Sequence, residues 1–323
     1  MQSPYFLNSP ENKIAIQYIF DTTPHIDGLT ECIQESERTF RKYMLLPNVE
    51  IESKYGYFTF KPESDIPHKM EKHKRLLIDL KEMKSKPYEF NPTIPITIFE
   101  LLKHVLDERC KHSDGQMKYL GLFHIYDKIY GKRIRVSEIK DSSDHFLNKE
   151  VISKMNRTDI NAFNLGNDFR ITLSEERQFA EPTSGHVIFS RTKHRHKYRY
   201  QFMEFDLTTV EDGAKVGMEV ELEIIDMAFF TNQLKEIMRI EELCKINEKK
   251  DMEGLETKKM TLSKFVTQYF YNVVSVIKLF EYPQLAYDYF FVKLYGPCKP
   301  LVGQYITEIE LKKKALKDNT YKA

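Results

Sequence analysis

The strongest constraint on this chain is charge recurring at every second residue inside segments that otherwise read as β-strands. Glu50-Ile51-Glu52-Ser53-Lys54 sets Glu50, Glu52 and Lys54 on one strand face, because successive side chains alternate sides. Glu219-Val220-Glu221-Leu222-Glu223 puts three glutamates on one face, with Val220, Leu222 and Ile224 on the other. Arg191-Thr192-Lys193-His194-Arg195 aligns three cations in the same way, and the pairs Arg133 with Arg135 and Asp206 with Thr208 follow the rule. Carboxylates two apart on a face sit about 7 Å from each other and repel, so something must offset them. A divalent cation is the simplest candidate, and oxygen donors without His or Cys suit Mg²⁺ or Mn²⁺ rather than zinc. The matching Arg and Lys strands suit a phosphate-rich anion.

Any one such strand is ordinarily the solvated face of an antiparallel sheet. Two acidic and two basic strands within one region strain that reading. If the apolar faces pack outward, the charged faces line a water-filled lumen, as in a closed barrel wide enough to hold a ligand.

The rest of the chain is consistent with such a sheet flanked by helices. Hydrophobic residues make up 41% of the 323 and charged residues 30%, enough for a sizeable core. Lys and Arg number 49 against 48 Asp and Glu, which excludes a grossly basic nucleic-acid coat protein and an acidic tail protein. Cys32, Cys110, Cys244 and Cys298 lie far apart with no C-x-x-C pair, pointing to a reducing compartment rather than a disulfide or zinc scaffold. Met1-Gln2-Ser3-Pro4 lacks the basic-then-apolar run of a secretory signal. The apolar stretch Leu262 to Phe280 is interrupted by Lys264, Gln268, Asn272 and Lys278, so no membrane span is expected.

Spacing predicts a helix from Gly28 to Met44 and a strand from Val49 to Phe60, with Ile14 to Phe20 a short strand or helix. Lys61 to Lys86 reads as a loop or solvated helix, and Ile98 to Cys110 as a helix. Alternating runs from Lys118 to Glu223, divided by turn residues, read as antiparallel strands. Helices follow over Met227 to Lys245 and Met260 to Glu281, the second with an apolar face of Leu262, Phe265, Val266, Tyr269, Phe270, Val273, Val274, Ile277 and Phe280. The fold class is α+β, with the strands able to close into one sheet.

In order along the chain, these residues resemble the metal-dependent mRNA-capping RNA 5′-triphosphatases of fungi and protists, within the triphosphate tunnel metalloenzymes. Glu50 to Gly56 (E-I-E-S-K-Y-G) is similar to the family's opening strand, and Phe90 to Phe99 to its link into a helix. Arg133-Ile134-Arg135-Val136-Ser137, Asp168-Phe169-Arg170-Ile171-Thr172 with Glu176, Arg191 to Arg195, Phe205-Asp206-Leu207-Thr208 and Glu219 to Ile224 resemble five further motifs. The resemblance covers about Val49 to Phe280.

It implies a closed antiparallel eight-stranded β-barrel with surrounding helices: one catalytic unit over residues 1–282 and a C-terminal extension over 283–323, its role most simply packing. It implies Mg²⁺ or Mn²⁺ held by Glu50, Glu52 and Glu223. Glu219 and Glu221 would orient the attacking water, either one as base. Arg135, Lys193 and Arg195 would clamp the γ-phosphate, with Arg191, Lys154 and Arg170 as supporting cations. Asp206, Thr208 and Glu176 would hold the basic side chains, and Lys54 would pair with one of the opening glutamates. The implied activity is hydrolysis of the β–γ bond of 5′-triphosphate-ended RNA, in the nucleus.

Two departures bear on that reading. Glu204 stands two positions before Asp206, where the family often has Arg, so one basic contact is missing or replaced. The chain has no Trp, so the Trp-bearing peptide by which some fungal members bind guanylyltransferase is absent. A guanylyltransferase held by another surface, and a second copy of this chain, remain open as partners; no membrane partner is expected.

Other chemistries find less support. His186, His194 and His196 lie among Arg and Lys, which disfavour a cation. Cys110 with His112 fits a helix C-terminus better than a nucleophilic pair. Ser184-Gly185-His186 lacks the nucleophile-elbow context, and no Walker loop or Cys-Arg phosphatase loop is present. Two alternatives to the RNA triphosphatase stay open: a tunnel-fold phosphohydrolase acting on nucleoside triphosphates or polyphosphate, and a non-catalytic module binding triphosphate ends.

Overall fold

A computed structural model describes residues 26–73, 76–80, 86–112, 116–131, 134–163, 168–182, 186–200, 202–213, 215–225, 227–246 and 252–278. The expectations for Ile14 to Phe20, Arg133, Ser184-Gly185, Cys298, Phe280 and the extension 283–323 lie outside these residues.

The chain runs α1 (Leu29–Tyr43), β1 (Val49–Phe60), α2 (Ile66–His73), β2 (Leu77–Asp79), β3 (Tyr88–Asn91), α3 (Ile96–His112), then seven strands. These are β4 (Met117–Tyr130), β5 (Arg135–Lys140), β6 (Phe146–Phe163), β7 (Asp168–Gln178), β8 (Val187–Tyr200), β9 (Met203–Asp212) and β10 (Lys215–Ile224). Helices α4 (Met227–Ile246) and α5 (Met252–Lys278) complete it.

Strand order β10-β9-β8-β4-β5-β6-β7-β1, with β1 also pairing β10, closes an antiparallel barrel of eight strands. Closure leaves the eight strands without a free edge. Register across the closing seam sets Glu52 opposite Glu223 and Lys54 opposite Glu221, so the two acidic faces meet inside. The strands β3 and β2 extend the wall at one end, pairing β1 and β6.

Alternation then decides what each wall faces. Ile51, Ser53 and Tyr55 of β1, Phe169, Ile171 and Leu173 of β7, Phe205 and Leu207 of β9, and Val220 and Leu222 of β10 point outward and are fully buried. Against them lies a helical layer containing Phe40 of α1, Leu102 and Val105 of α3, Leu234 of α4, and Val266, Tyr269, Phe270, Val273 and Ile277 of α5. The Tyr269 hydroxyl donates to the Leu222 carbonyl at 3.1 Å, tying α5 to the acidic strand β10. Phe40 meets the Tyr269 and Phe270 rings, each at 5.9 Å between centroids. On β8 the outward Tyr198 is buried and its hydroxyl donates to Asp107 of α3 at 2.7 Å, while Tyr119 of β4 and Ile188 of β8 are exposed.

Two glycines shape the wall. A Cβ at Gly56 would stand 1.9 Å from the Asn91 carbonyl oxygen, so only glycine lets β3 lie against β1. Gly121, at φ +131°, sits at the register shift between β4 and β8.

The strand Val49 to Phe60 and the antiparallel run to Glu223 are as the alternation predicts. Between Lys61 and Lys86, a short helix and the three-residue strand β2 stand where a loop or solvated helix was expected. The last helix begins at Met252, eight residues ahead of the predicted start, because the apolar stripe marks only its packed half and the preceding Glu and Lys are good helix formers.

Candidate functional site

The inward faces enclose a cavity of about 440 Å³, lined among the described residues by eight acidic and eight basic side chains. A dense set of buried charges survives only if each is paired or shared with a ligand.

The basic wall is β8. Arg195 Nη1 lies 2.6 Å from Asp206, Nη2 lies 3.1 Å from Glu221, and Nε donates to Thr208 Oγ1 at 3.1 Å. Three fixed acceptors hold the guanidinium plane in one orientation. Two residues along, Lys193 Nζ is 2.8 Å from Asp127, which also takes Arg191 Nε at 3.0 Å and the Ser137 hydroxyl at 2.7 Å. Burial works to raise the Asp127 carboxyl, but Lys193 and Arg135 hold it well below the usual range. Burial, with Arg195 beside it, pulls the Lys193 ammonium down to about 8, despite Asp127. Arg135, on β5, faces Glu176 at 3.8 Å; Arg135 Nε and Glu176 Oε1 are buried and have no hydrogen-bond partner among the described residues.

The acidic wall is β1 with β10. Lys154 bridges Glu50 and Glu52, at 3.0 Å from Glu52. Lys54 pairs with Glu221 across the seam and stands 3.8 Å from Glu52, so its nearer partner is not one of the opening glutamates. Burial favours the neutral form of Glu52, yet Lys54 and Lys154 hold its carboxyl below the usual value. Burial acts on Glu221 the same way, and Lys54, Arg195 and Lys193 outweigh it. Glu50 is pushed up to about 7 by burial and by the charge of Glu52, and accepts from Ser174 at 3.3 Å. Glu223, raised by burial and by Glu50 and Asp206, makes no ion pair among the described residues.

Glu204, which stands where the family resemblance led one to expect Arg, is buried opposite Arg199. It takes Lys197 Nζ at 2.7 Å and Arg199 Nε at 3.0 Å.

Thus Glu50, Glu52, Lys54, Arg135, Lys154, Glu176, Arg191, Lys193, Arg195, Glu221 and Glu223 share one cavity. Asp206 and Thr208 lie buried behind Arg195. Two candidates stand apart. Glu219 follows on the same face of β10 but does not line the cavity. Arg170 stacks on the Phe90 ring at 4.6 Å and sits 3.9 Å from Asp159, away from Arg135, Lys193 and Arg195. Sequence reasoning missed Asp127, Lys197 and Arg199. The last two continue the alternation begun at Arg191. Asp127 is a lone carboxylate between Ile125 and Ile129, and only register with β8 places it under two cations.

A wider cavity of about 1040 Å³ adjoins the first and shares Glu50, Glu150, Glu176 and Glu223 with it. Its two cations are already engaged, Arg177 by Glu175 and Lys149 by Glu138 and Glu181.

A family model described as mRNA capping enzyme, beta chain, matches residues 41–255. Among solved structures, the chain is similar to the RNA triphosphatase Pct1 of S. pombe in complex with the Spt5 CTD. That match has a TM-score of 0.58 at 18% identity and covers 78% of this chain and 94% of Pct1. A second S. pombe Pct1 RNA triphosphatase structure matches with a TM-score of 0.56 at 17% identity, covering 78% of this chain and 93% of that one. At these identities the likeness is one of fold. No curated protein matches the sequence.

Proposed function

The chain belongs to the mRNA capping enzyme beta-chain family, and from that premise we propose that it hydrolyses the β–γ phosphoanhydride of 5′-triphosphate-ended RNA, leaving a diphosphate end and phosphate. The observation that carries this reading is the opposition of two walls in one cavity: Arg195, Lys193 and Arg191 on one side, Glu50, Glu52 and Glu223 on the other.

Phosphoryl transfer asks for charge placed around three equatorial oxygens rather than for covalent chemistry. Arg195 and Lys193, with Arg135 two strands away on β5, take the γ-phosphoryl oxygens. Asp206, Thr208 and Asp127 keep those cations in place before the substrate arrives, so no reorganisation is needed as charge develops. The partnerless Arg135 Nε supports this, since a phosphate oxygen would satisfy it. Glu221 is tied to Lys54 and Arg195, which lowers its basicity and suits it to positioning. Glu219 lies outside the cavity lining, which leaves Glu221 as the carboxylate of that pair placed to orient the attacking water. Lys154 balances Glu50 and Glu52.

Glu50, Glu52 and Glu223 would hold a divalent cation, Mg²⁺ or Mn²⁺. Oxygen-only donors fit, and so does the state of Glu223 and Glu50, whose raised carboxyls a cation would relieve. When bound, the ion supplies neutralisation of the charge growing on the transferring phosphoryl group. We take residues 1–282 as the catalytic unit and 283–323 as an extension. A capping role assigns the protein to the nucleus, with a guanylyltransferase, an Spt5-like CTD, and a second copy of the chain as partners to test.

The test is phosphate release from triphosphate-ended RNA, ATP and inorganic tripolyphosphate, each with Mg²⁺ or Mn²⁺. Release from RNA in preference to the other two is expected. Preference for ATP or tripolyphosphate would move the chain to the small-substrate branch, and no turnover would leave a binding module.

A further inference from the structure

The inward cations of β8 do not stop at Arg195. Arg191, Lys193, Arg195, Lys197 and Arg199 occupy five successive inward positions. Same-face positions recur every ~6.6 Å, so the row spans roughly 26 Å. Three phosphoryl groups joined directly through oxygens cover well under half of that length.

The row also has a direction. Side-chain exposure is 25% at Arg191, 6% at Lys193, 16% at Arg195, 26% at Lys197 and 48% at Arg199. Lys193 is the deepest cation, and the row opens most widely to solvent at Arg199. The adjoining cavity offers the opposite lining, with five glutamates and two cations already engaged. A polyanion is drawn to the first opening and repelled from the second.

Lys197 and Arg199 both hold Glu204, at 2.7 Å and 3.0 Å, and Lys197 also stands 3.9 Å from Asp206, which Arg195 already engages. These contacts leave the pair with unused donors, since an ammonium carries three and a guanidinium five. Resting on the triphosphatase reading above, the geometry points to Lys197 and Arg199 as a second phosphate station. They bind the first internucleotide phosphates of an RNA chain that enters past Arg199, beyond the triphosphate itself, while Lys193 and Arg195 hold the γ-phosphate. Glu204 keeps the pair ordered and inside the lumen when RNA is absent. These two residues thereby set the preference for a polynucleotide over a small triphosphate, which ends before it reaches them.

The test compares Lys197→Ala/Arg199→Ala with wild type on a triphosphate-ended oligoribonucleotide and on inorganic tripolyphosphate, across a range of salt. The expected result is a KM for RNA raised on the order of tenfold and a salt slope of log KM reduced by about 1–2, one per lost phosphate contact. KM for tripolyphosphate should stay within about twofold. An equal rise for both substrates, or no change for RNA, overturns the assignment. Glu204→Gln guards against a misfolded double variant, because it frees both cations without emptying the site. It should lower KM for RNA and steepen its salt slope while leaving tripolyphosphate unchanged; no selective change overturns the assignment. Wild type that fails to release phosphate from RNA at all would instead overturn the functional reading beneath it.

Discussion

The two walls of the tunnel solve the problem of buried charge in opposite ways. On β8 every cation meets a carboxylate: Asp206 and Glu221 for Arg195, Asp127 shared by Lys193 and Arg191, and Glu204 shared by Lys197 and Arg199. On β1 and β10 the carboxylates outnumber their cations. Lys54 and Lys154 are shared among Glu50, Glu52 and Glu221, Glu223 has none among the described residues, and Glu50 is pushed up to about 7. Every cation of β8 meets a carboxylate as the chain folds, whereas burial and neighbouring carboxylates raise the Glu50 and Glu223 carboxyls. Under the proposed reading, that difference separates preorganisation for an anion from a site that a cation would complete.

The largest effect that would sharpen this contrast is loss of a shared carboxylate. Glu52→Ala should reduce phosphate release from triphosphate-ended RNA by ~10²–10³-fold, measured at saturating Mg²⁺. Survival of most of the activity would break the account of the acidic wall.

Next comes Arg195→Ala, which should lower kcat by about 10²-fold and also unfold more easily. Asp206 would be left buried with only Lys197, at 3.9 Å, to offset it, at a cost of about 3–5 kcal/mol in denaturant titration. A variant as stable as wild type would mean that Asp206 is not held as described.

A smaller effect concerns pH. Because Lys193 titrates at about 8 in the folded chain, it is charged below that value and neutral above it. Accordingly kcat/KM should fall as pH rises through about 8, since that parameter reports the free enzyme. Lys193→Arg, which keeps its charge, should move the alkaline limb upward; an unmoved limb would assign it to another group.

The smallest expected effect is one of stability without metal. A carboxyl raised from 4.5 to about 7 makes metal-free stability fall as pH rises across that window, because the folded chain holds the proton more tightly. Glu50→Gln should therefore raise the metal-free melting temperature above pH 7 by about 2–4 °C. Asp127→Asn on the other wall should lower it. If both substitutions shift stability in the same direction, the two walls do not differ as argued.

How much of this was legible in the sequence follows from the range of each signal. Strand β1 could be bounded to the residue because alternation and its flanking Pro47-Asn48 are local; Asn48 takes the left-handed conformation that Asn tolerates. The acidic and basic faces were legible for the same reason. Closure of the barrel was foreseen from the resemblance, while the alternation alone showed only that the strands could close. Asp127 was not legible, since nothing within β4 distinguishes it from an ordinary surface aspartate, and its partners arrive 64 and 66 residues later. Lys197 and Arg199 were readable in principle, and the family pattern ending at Arg195 drew attention away from them. Alternation gives Arg170 its face but not its height in the barrel, which register sets opposite Lys54 and Asn161, beside the Phe90 ring.

The central claim is tested most directly by incubating RNA carrying a labelled γ-phosphate with the wild-type chain and Mg²⁺, then identifying both products. The account predicts labelled inorganic phosphate and an RNA left with a 5′-diphosphate end, with release abolished when a chelator removes the metal. Labelled pyrophosphate with a monophosphate end, or full release in the presence of the chelator, would contradict it.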